Sequence, residues 1–189
     1  MGVNVYDFDN TIYDGESLVD LVLYYIPRDP RIWWYLPQLI RIALRDRFHL
    51  FTVEEAVKAY AGFLEGYYVK LSSLEEDVVR FWDRHEQKST FIMKQRRVDD
   101  IIVSGSTDFL LAEMMKRMGI TRYIGSSVDP RTGKFTRLCF LENKVKLFQE
   151  QYPNVQIENF YTDSMNDRAM MDISNHVFLV KKNQVTQIK

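Results

Sequence analysis

Val3-Asn4-Val5-Tyr6-Asp7-Phe8-Asp9-Asn10-Thr11 opens the chain with a short apolar run that ends in two closely spaced aspartates. It reads as a strand emptying into a polar loop. Near the other end stands its counterpart, Tyr161-Thr162-Asp163-Ser164-Met165-Asn166-Asp167, again a strand followed by a loop with two carboxylates. In an open α/β sheet the loops at the carboxyl ends of strands converge on one crevice, which brings these acids together. Four anionic side chains repel: one like-charge pair about 4 Å apart, at an effective dielectric of about 20, costs roughly 4 kcal/mol. A hard divalent cation with oxygen ligands resolves that conflict. Mg²⁺ typically takes one or two carboxylates plus substrate phosphate.

Two further stations fit the same crevice. Ile101-Ile102-Val103-Ser104-Gly105-Ser106-Thr107 reads as a buried strand ending in a hydroxyl-rich turn, followed by a helical pattern from Phe109 to Met118. A hydroxyl and free backbone N–H groups at a helix N-terminus form an anion site. Glu142-Asn143-Lys144-Val145-Lys146 opens another helix and offers an amine to a dianion. On a helix the two lysines point about 200° apart, so only one can face the crevice, and Lys144 is preferred. Each station also has a plainer reading. Asp7 and Asp9 suit a turn after a strand, and Asp163 suits a helix N-cap. Ser104-Gly105-Ser106 suits an ordinary strand-to-helix turn, and Lys144 a solvated helix face. Order and strand context together select the site.

In that order and context the four stations resemble the motifs of the haloacid dehalogenase (HAD) superfamily, and nearest its phosphoserine-phosphatase-like branch. The resemblance implies an α/β fold with a doubly wound, mainly parallel, Rossmann-like sheet and an inserted helical-bundle cap. Residues 1–13 and 98–189 would form the catalytic core and residues 14–97 the cap. The implied activity is that of a Mg²⁺-dependent phosphatase hydrolysing a small phosphomonoester through an aspartyl-phosphate. By the same resemblance Asp7 is the nucleophile, and Asp9 the general acid that later serves as base. Lys144 neutralises charge around Asp7 and the phosphate. Mg²⁺ is held by Asp7, Asp163 and the backbone carbonyl of Asp9, with Asp167 acting through bound water or by orienting the lysine. Ser104, the Gly105 N–H and Asn166 contact phosphate or substrate. An aspartate at position 9 goes with phosphatases and phosphomutases rather than transport ATPases or dehalogenases.

Glu16, nine positions after Asp7, matches an acidic residue that grips the substrate amine in the phosphoserine branch. It equally suits the first turn of a helix. The branch's cap arginine has no match, since the comparable helix carries Lys58 and Tyr60. Thr162 stands where the family often has glycine, which leaves the loop geometry open. The alternatives are a phosphomutase, a non-catalytic binding module of the same fold, and a phosphatidylglycerophosphatase-like enzyme acting on phospholipid headgroups at the membrane surface.

With 189 residues, 46% hydrophobic and 27% charged, the chain suffices for one core and an inserted subdomain. A net charge of −1 gives no global pull toward nucleic acid or acidic membranes; the resemblance implies a small phosphorylated substrate as the partner. Cys139 is the sole cysteine and reads as an inert buried thiol in a reducing compartment. The chain opens directly into a strand, leaving no room for a signal peptide, and a cytoplasmic enzyme is expected. His49, His85 and His176 lack metal-ligand spacing.

The inserted segment reads as four helices: Gly15–Ile26, Pro30–Phe48, Val53–Glu65 capped by Thr52, and Ser73–Lys88. Thr52 with Glu55 makes a capping box. After the core helix come strand Tyr123–Val128, a turn at Pro130–Gly133, a return strand Lys134–Leu141, and strands Ile157–Thr162 and His176–Val180. The run from Ile32 to Leu44, with Trp33, Trp34 and Tyr35 near its start, is too short and too interrupted, by Pro37 and Arg41, to span a bilayer. With Arg28, Arg31, Arg45 and Arg47 beside it, it could lie in a membrane interface, where tryptophan is favoured. The preferred expectation is burial of Trp33, Trp34 and Tyr35 as cap core or lid, with a membrane surface as the second-ranked partner.

Overall fold

The computed structural model describes residues 2–47, 53–71, 73–85, 97–182 and 184–189. In chain order the elements are β1 (Val3–Tyr6), α1 (Ser17–Tyr25), α2 (Leu36–Arg47), α3 (Val53–Gly66), α4 (Leu74–His85), β2 (Ile101–Thr107) and α5 (Asp108–Arg117). Then follow β3 (Tyr123–Val128), β4 (Phe135–Arg137), α6 (Glu142–Gln151), β5 (Ile157–Thr162), α7 (Arg168–Asp172), β6 (Ser174–Lys181) and β7 (Gln184–Gln187). Short 3₁₀ turns occupy Pro30–Trp34, Tyr68–Lys70 and Met165–Asp167.

The strands form one sheet in the order β4-β3-β2-β1-β5-β6-β7. The five inner strands are parallel, and the β3–β4 and β6–β7 hairpins close the edges antiparallel. From β1 the chain winds outward through β2 and β3, then crosses to β5 on the other side of β1. Winding reverses between β1 and β5, and a crevice opens there at the carboxyl ends of the strands. This is the doubly wound α/β architecture expected.

Strand alternation divides the core between the two faces. Val3 and Val5 of β1, with Ile101 and Val103 of β2, pack against Phe148 of α6 and Met170 of α7. Tyr6 and Ile102 face the opposite way, toward Leu110 and Leu111 of α5 and toward the helices inserted between β1 and β2. Leu21, Phe63 and Trp82 of that insertion belong to the same buried cluster. Trp82 lies edge-on to the Phe8 and Tyr13 rings, and its Nε1–H donates to the Leu110 carbonyl at 2.9 Å. The inserted helices therefore share their buried face with the sheet.

Several expectations change in detail. The single helix expected over Pro30–Phe48 is broken at Tyr35. Pro37 has no N–H and its ring would meet the carbonyl of residue 33, so it is accommodated only in the first turn of a new helix. The break overturns the expected burial of the tryptophans. Ile32 and Ile42 are buried, and Tyr35, Leu36 and Leu39 are partly buried against the core. Trp33 and Trp34 fall off that inward stripe and are 59% and 87% exposed. Strand β2 runs through Thr107 where a turn was expected, β4 stops at Arg137, and the polar edge strand β7 was not anticipated. The Thr52 cap, His49 and the last turn expected toward Lys88 lie outside the described residues. His85 Nδ1 donates to the Phe81 carbonyl at 2.8 Å, and His176 lies 3.6 Å from Glu158 at the surface.

Candidate active site

The register of β1 against β5 sets the crevice. Tyr6 pairs with Tyr161, and the Asp7 N–H donates to the Tyr161 carbonyl at 2.8 Å. Asp7 thus leaves β1 beside Thr162, and Asp163 follows directly. Lys144, in the first turn of α6, is buried with Nζ 2.9 Å from Asp7 Oδ1 and 2.7 Å from Asp167 Oδ1. Lys146 is exposed. Of the two lysines, only Lys144 enters the crevice. The residue that starts its helix, Leu141, has φ of 51°, an uncommon conformation for a non-glycine side chain.

Asp9 sits two residues on, where Asn10 takes φ of 54° and Asn10 N–H donates to the Gly15 carbonyl at 2.9 Å. Asn tolerates that left-handed backbone better than most residues. The loop delivers Ser17 N–H to Asp9 Oδ1 at 2.7 Å. The Ser106 hydroxyl donates to Asp9 Oδ2, and the Ser17 and Ser106 hydroxyls are 2.9 Å apart. Both Asp9 oxygens are therefore engaged. Ser106 and Ser17 were missed in the sequence. Ser104, the expected hydroxyl, is 1% exposed, and its Oγ accepts from the Ser106 N–H at 3.0 Å. Gly105, Ser106 and Thr107 line the cavity, whereas Ser104 lies behind them. Residues 104 and 106 share one side of a strand, so a strand reaching Thr107 brings the second hydroxyl forward.

Thr162 proves constructive at the position where glycine is frequent. Its backbone is not in the left-handed region. The hydroxyl is buried and donates to Asp167 Oδ2 at 2.8 Å, while accepting from the Ser164 N–H at 3.2 Å. Asp167 is thereby held at one oxygen by Thr162 and at the other by Lys144. Asn166 lines the cavity, its N–H donating to Ser164 Oγ at 3.1 Å. Glu16 lies at the head of α1, exposed at the cavity wall, where it accepts from Asn10 Nδ2.

Burial dominates the electrostatics. It raises the Asp7 carboxyl well above the usual range, against the pull of Lys144, because Asp167 and Asp163 add negative charge. It raises Asp9 too, against its bonds from Ser106 and Ser17. Asp163 is pushed up to about 6 by burial and by Asp167. Burial works to lower Lys144, but Asp167 and Asp7 outweigh it and hold the ammonium charged. One ammonium shared by two carboxylates leaves negative charge in excess at Asp7 and Asp163. Outside the crevice, burial pushes the Cys139 thiol up to about 12, which leaves it protonated and unreactive.

The cavity above these groups measures about 480 Å³, within the ordinary range for a small-molecule site. Its floor is polar, and Leu18, Leu64, Phe135 and Phe140 give it an apolar wall. The β3–β4 hairpin closes over it. At Gly133, with φ of 72°, a Cβ would lie 2.6 Å from the Leu64 carbonyl oxygen, so the hairpin turn meets the end of α3 with no room to spare.

The donor set is compatible with a hard divalent cation. Among the described residues no three acidic, histidine or cysteine side chains are gathered at metal-holding distance. Asp9 and Asp167 are engaged at both oxygens, by Ser17, Ser106, Thr162 and Lys144, whereas Asp7 is held by Lys144 at one oxygen only. Asp7 and Asp163 remain as the carboxylates with excess charge, matching the one or two that Mg²⁺ typically takes.

A model of the haloacid dehalogenase-like hydrolases matches residues 5–172. The chain belongs to that family. Its fold is similar to that of a protein of unknown function from Bordetella pertussis Tohama I, with TM-score 0.72, 17% identity, and coverage of 90% of this chain and 85% of that one. It is similar to a HAD family hydrolase from Salmonella enterica subsp. enterica serovar Typhi, with TM-score 0.64, 15% identity and coverage of 92% and 60%. A phosphoserine phosphatase, as its phospho-aspartyl intermediate analogue, aligns with TM-score 0.62, 13% identity and coverage of 93% and 84%. No curated protein matches the sequence. At these identities the structural likeness is one of fold. The expected family, fold class and enzyme class hold: a HAD-type hydrolase built on the fold of the phosphoserine phosphatases.

Proposed function

We propose that the protein is a Mg²⁺-dependent phosphatase that hydrolyses a small phosphomonoester through an aspartyl-phosphate on Asp7. The observation that carries this reading is the pair of adjacent carboxylates in opposite settings. Asp7 is held at one oxygen by Lys144, and Asp9 is held at both by Ser17 and Ser106. In the first step an Asp7 carboxylate oxygen attacks phosphorus, the ester P–O bond breaks, and Asp9 gives its proton to the leaving alkoxide. In the second, Asp9 takes a proton from water, whose oxygen attacks the acyl phosphate and frees Asp7 and inorganic phosphate. Lys144 offsets charge on Asp7 and the phosphoryl group throughout, and Thr162 and Asp167 keep the ammonium in place. Mg²⁺ bound by Asp7, Asp163 and the Asp9 backbone carbonyl would neutralise phosphoryl charge. In this reading the Gly105 N–H donates to a phosphoryl oxygen, while Ser104 fixes Ser106, and through it Asp9, by accepting the Ser106 N–H.

Residues 14–97 form the substrate-selecting cap in this reading, with Glu16 and Asn166 at the organic part of the substrate. Among the described residues the cavity-lining cations are Lys144 and Lys181, and no arginine lines the cavity to match the one that would bind a phosphoserine carboxylate. The apolar wall favours a less polar alcohol. A phospholipid headgroup is the second reading, favoured by the exposed Trp33 and Trp34. A phosphomutase would return phosphate to its product. A non-catalytic module would be expected to lose one of the grouped carboxylates. The single buried thiol suits a cytoplasmic enzyme.

The test is hydrolysis of an aryl phosphate with Mg²⁺ and with excess chelator, together with acid-quench trapping of labelled phosphoenzyme. Activity should need the metal, and Asp7→Asn should yield neither turnover nor phosphoenzyme. Full activity in chelator, or a phosphoenzyme formed by Asp7→Asn, would refute the mechanism.

A further inference from the structure

The segment from Pro30 to Leu44 contributes nothing to the cavity lining. Its buried side is packed: Ile32 and Ile42 are in the core, and the Tyr35 ring lies edge-on to Phe63 and tilted against Tyr67. Its outer side is apolar as well. Trp33 and Trp34 are followed on α2 by Ile40 and Leu44, one helical turn apart and 58% and 54% exposed. Soluble monomers rarely expose such residues in continuity. The charge around them is also unlike the rest of the chain. Residues 28–47 hold five arginines against two aspartates, a net +3 in a chain of net charge −1. Arg31 and Arg41 are exposed, and Asp29 is turned back onto Arg31 at 2.7 Å.

We propose that this face docks the protein on an anionic lipid bilayer, with Trp33 and Trp34 seated among the headgroups and Arg31 and Arg41 against lipid phosphates. Tryptophan is favoured at the membrane–water boundary because its ring is apolar and its N–H is polar. An amphipathic helix with an apolar face and a basic rim lies in the plane of that boundary. No helix among the described residues is long and apolar enough to cross a membrane, so the contact is peripheral. A second copy of the chain is a poorer occupant, because a two-fold contact would set each arginine-rich face against itself. The inference is independent of the reaction and is read without turnover.

The experiment is co-sedimentation of the full chain with vesicles of phosphatidylcholine alone or mixed with phosphatidylglycerol, alongside quenching of tryptophan emission by brominated lipid. Trp82, fully buried, supplies a constant background. Binding is expected only to the anionic vesicles, should weaken with salt, and should be accompanied by quenching. Trp33→Ala with Trp34→Ala should lower partitioning about tenfold or more. Arg41→Gln should lower it about fivefold, since a basic residue near an anionic surface contributes about 1 kcal/mol. Wild-type protein left in the supernatant with anionic vesicles would overturn the proposal. So would binding without quenching, or a concentration-dependent dimer that shields the tryptophans without lipid.

Discussion

Asp7 bears a carboxyl group and is 7% exposed, whereas Trp34 is the chain's largest kind of apolar side chain and 87% exposed. The crevice and the segment from Pro30 to Leu44 thus invert the ordinary burial rule in opposite directions. Within the crevice each of the buried carboxylates Asp7, Asp9 and Asp167 has a partner in place: Lys144 for Asp7 and Asp167, Thr162 for Asp167, and Ser17 and Ser106 for Asp9. In the outer segment Trp33, Trp34, Ile40 and Leu44 leave more than half of their surface uncovered by the described fold. Buried charge persists only where its neighbours are fixed, so its mutation disturbs the folded chain itself. Exposed tryptophan costs the fold little, and its mutation is felt at a surface the fold does not contain.

Removing the partner at the centre of the crevice is the strongest attempt to break this contrast. Lys144→Met leaves Asp7 and Asp167 buried without their shared cation. Breaking a buried ion pair costs about 3–5 kcal/mol. Denaturant unfolding should show a loss of that size, and excess Mg²⁺ should restore more stability to the variant than it adds to the wild type. Unchanged stability in chelator would mean that the two carboxylates do not depend on the lysine.

Ser106→Ala sharpens the comparison by removing a partner without stranding a charge on another residue. Asp9 keeps the Ser17 N–H and loses the hydroxyl at its other oxygen. General acid–base assistance is worth about 10²–10⁴-fold, and loss of one orienting bond should forfeit about tenfold of it. The fall in kcat should be greater for alkyl phosphates, whose leaving group needs a proton, than for aryl ones. Ser106→Thr should recover most of it. Equal losses on both ester types would reduce Ser106 to a packing role.

These residues also mark how far the sequence alone reaches. Asp7, Asp9, Lys144 and Asp163 were legible because charges placed at strand ends and in a helix's first turn must converge at a winding reversal. The pitch of a helix showed that only one of Lys144 and Lys146 can face the crevice, and the order of the motifs gave the preference for Lys144. Ser106 was not legible, because its place depends on β2 extending to Thr107, and small hydroxyl residues suit a turn as well as a strand. The role of Thr162 was hidden for a different reason: a hydrogen bond to Asp167 cannot be seen in residue types. β7 escaped because Gln184–Gln187 is polar and wholly exposed, with no alternation to read. Trp33 and Trp34 failed by their hydrophobicity, which signals burial until the break before Pro37 fixes which side faces inward.

Asp163→Asn should produce a smaller effect, and of the opposite sign to the lysine variant. The Asp163 carboxyl lies at about 6 in the folded chain, above the 3.8 of a free side chain. Between those values the folded state holds a proton that the unfolded state has lost, so stability falls as pH rises through the window. The penalty is fully present above about pH 6. In chelator at neutral pH, Asp163→Asn should therefore be more stable than the wild type, and the difference should vanish below about pH 4. With Mg²⁺ the order should reverse, since the cation stabilises the charged form. A variant less stable in chelator at neutral pH would place Asp163 among satisfied carboxylates like Asp167.

The smallest effect is expected at the most conspicuous side chain. Trp82→Ala removes a ring that is fully buried, packed edge-on against Phe8 and Tyr13 and hydrogen-bonded to Leu110. Such truncations cost about 3–5 kcal/mol. Trp34→Ala deletes the same atoms from a position where they touch little, and surface substitutions of that kind stay within about 0.5 kcal/mol. The pair isolates environment from chemistry, because residue and replacement are identical in both. Matched urea unfolding curves should give a large shift of midpoint for Trp82→Ala and almost none for Trp34→Ala, with similar slopes. A loss of several kcal/mol at Trp34 would mean that its ring is covered in the folded chain. That result would return the segment to the closed lid first expected of it, and the two regions would then obey a single burial rule.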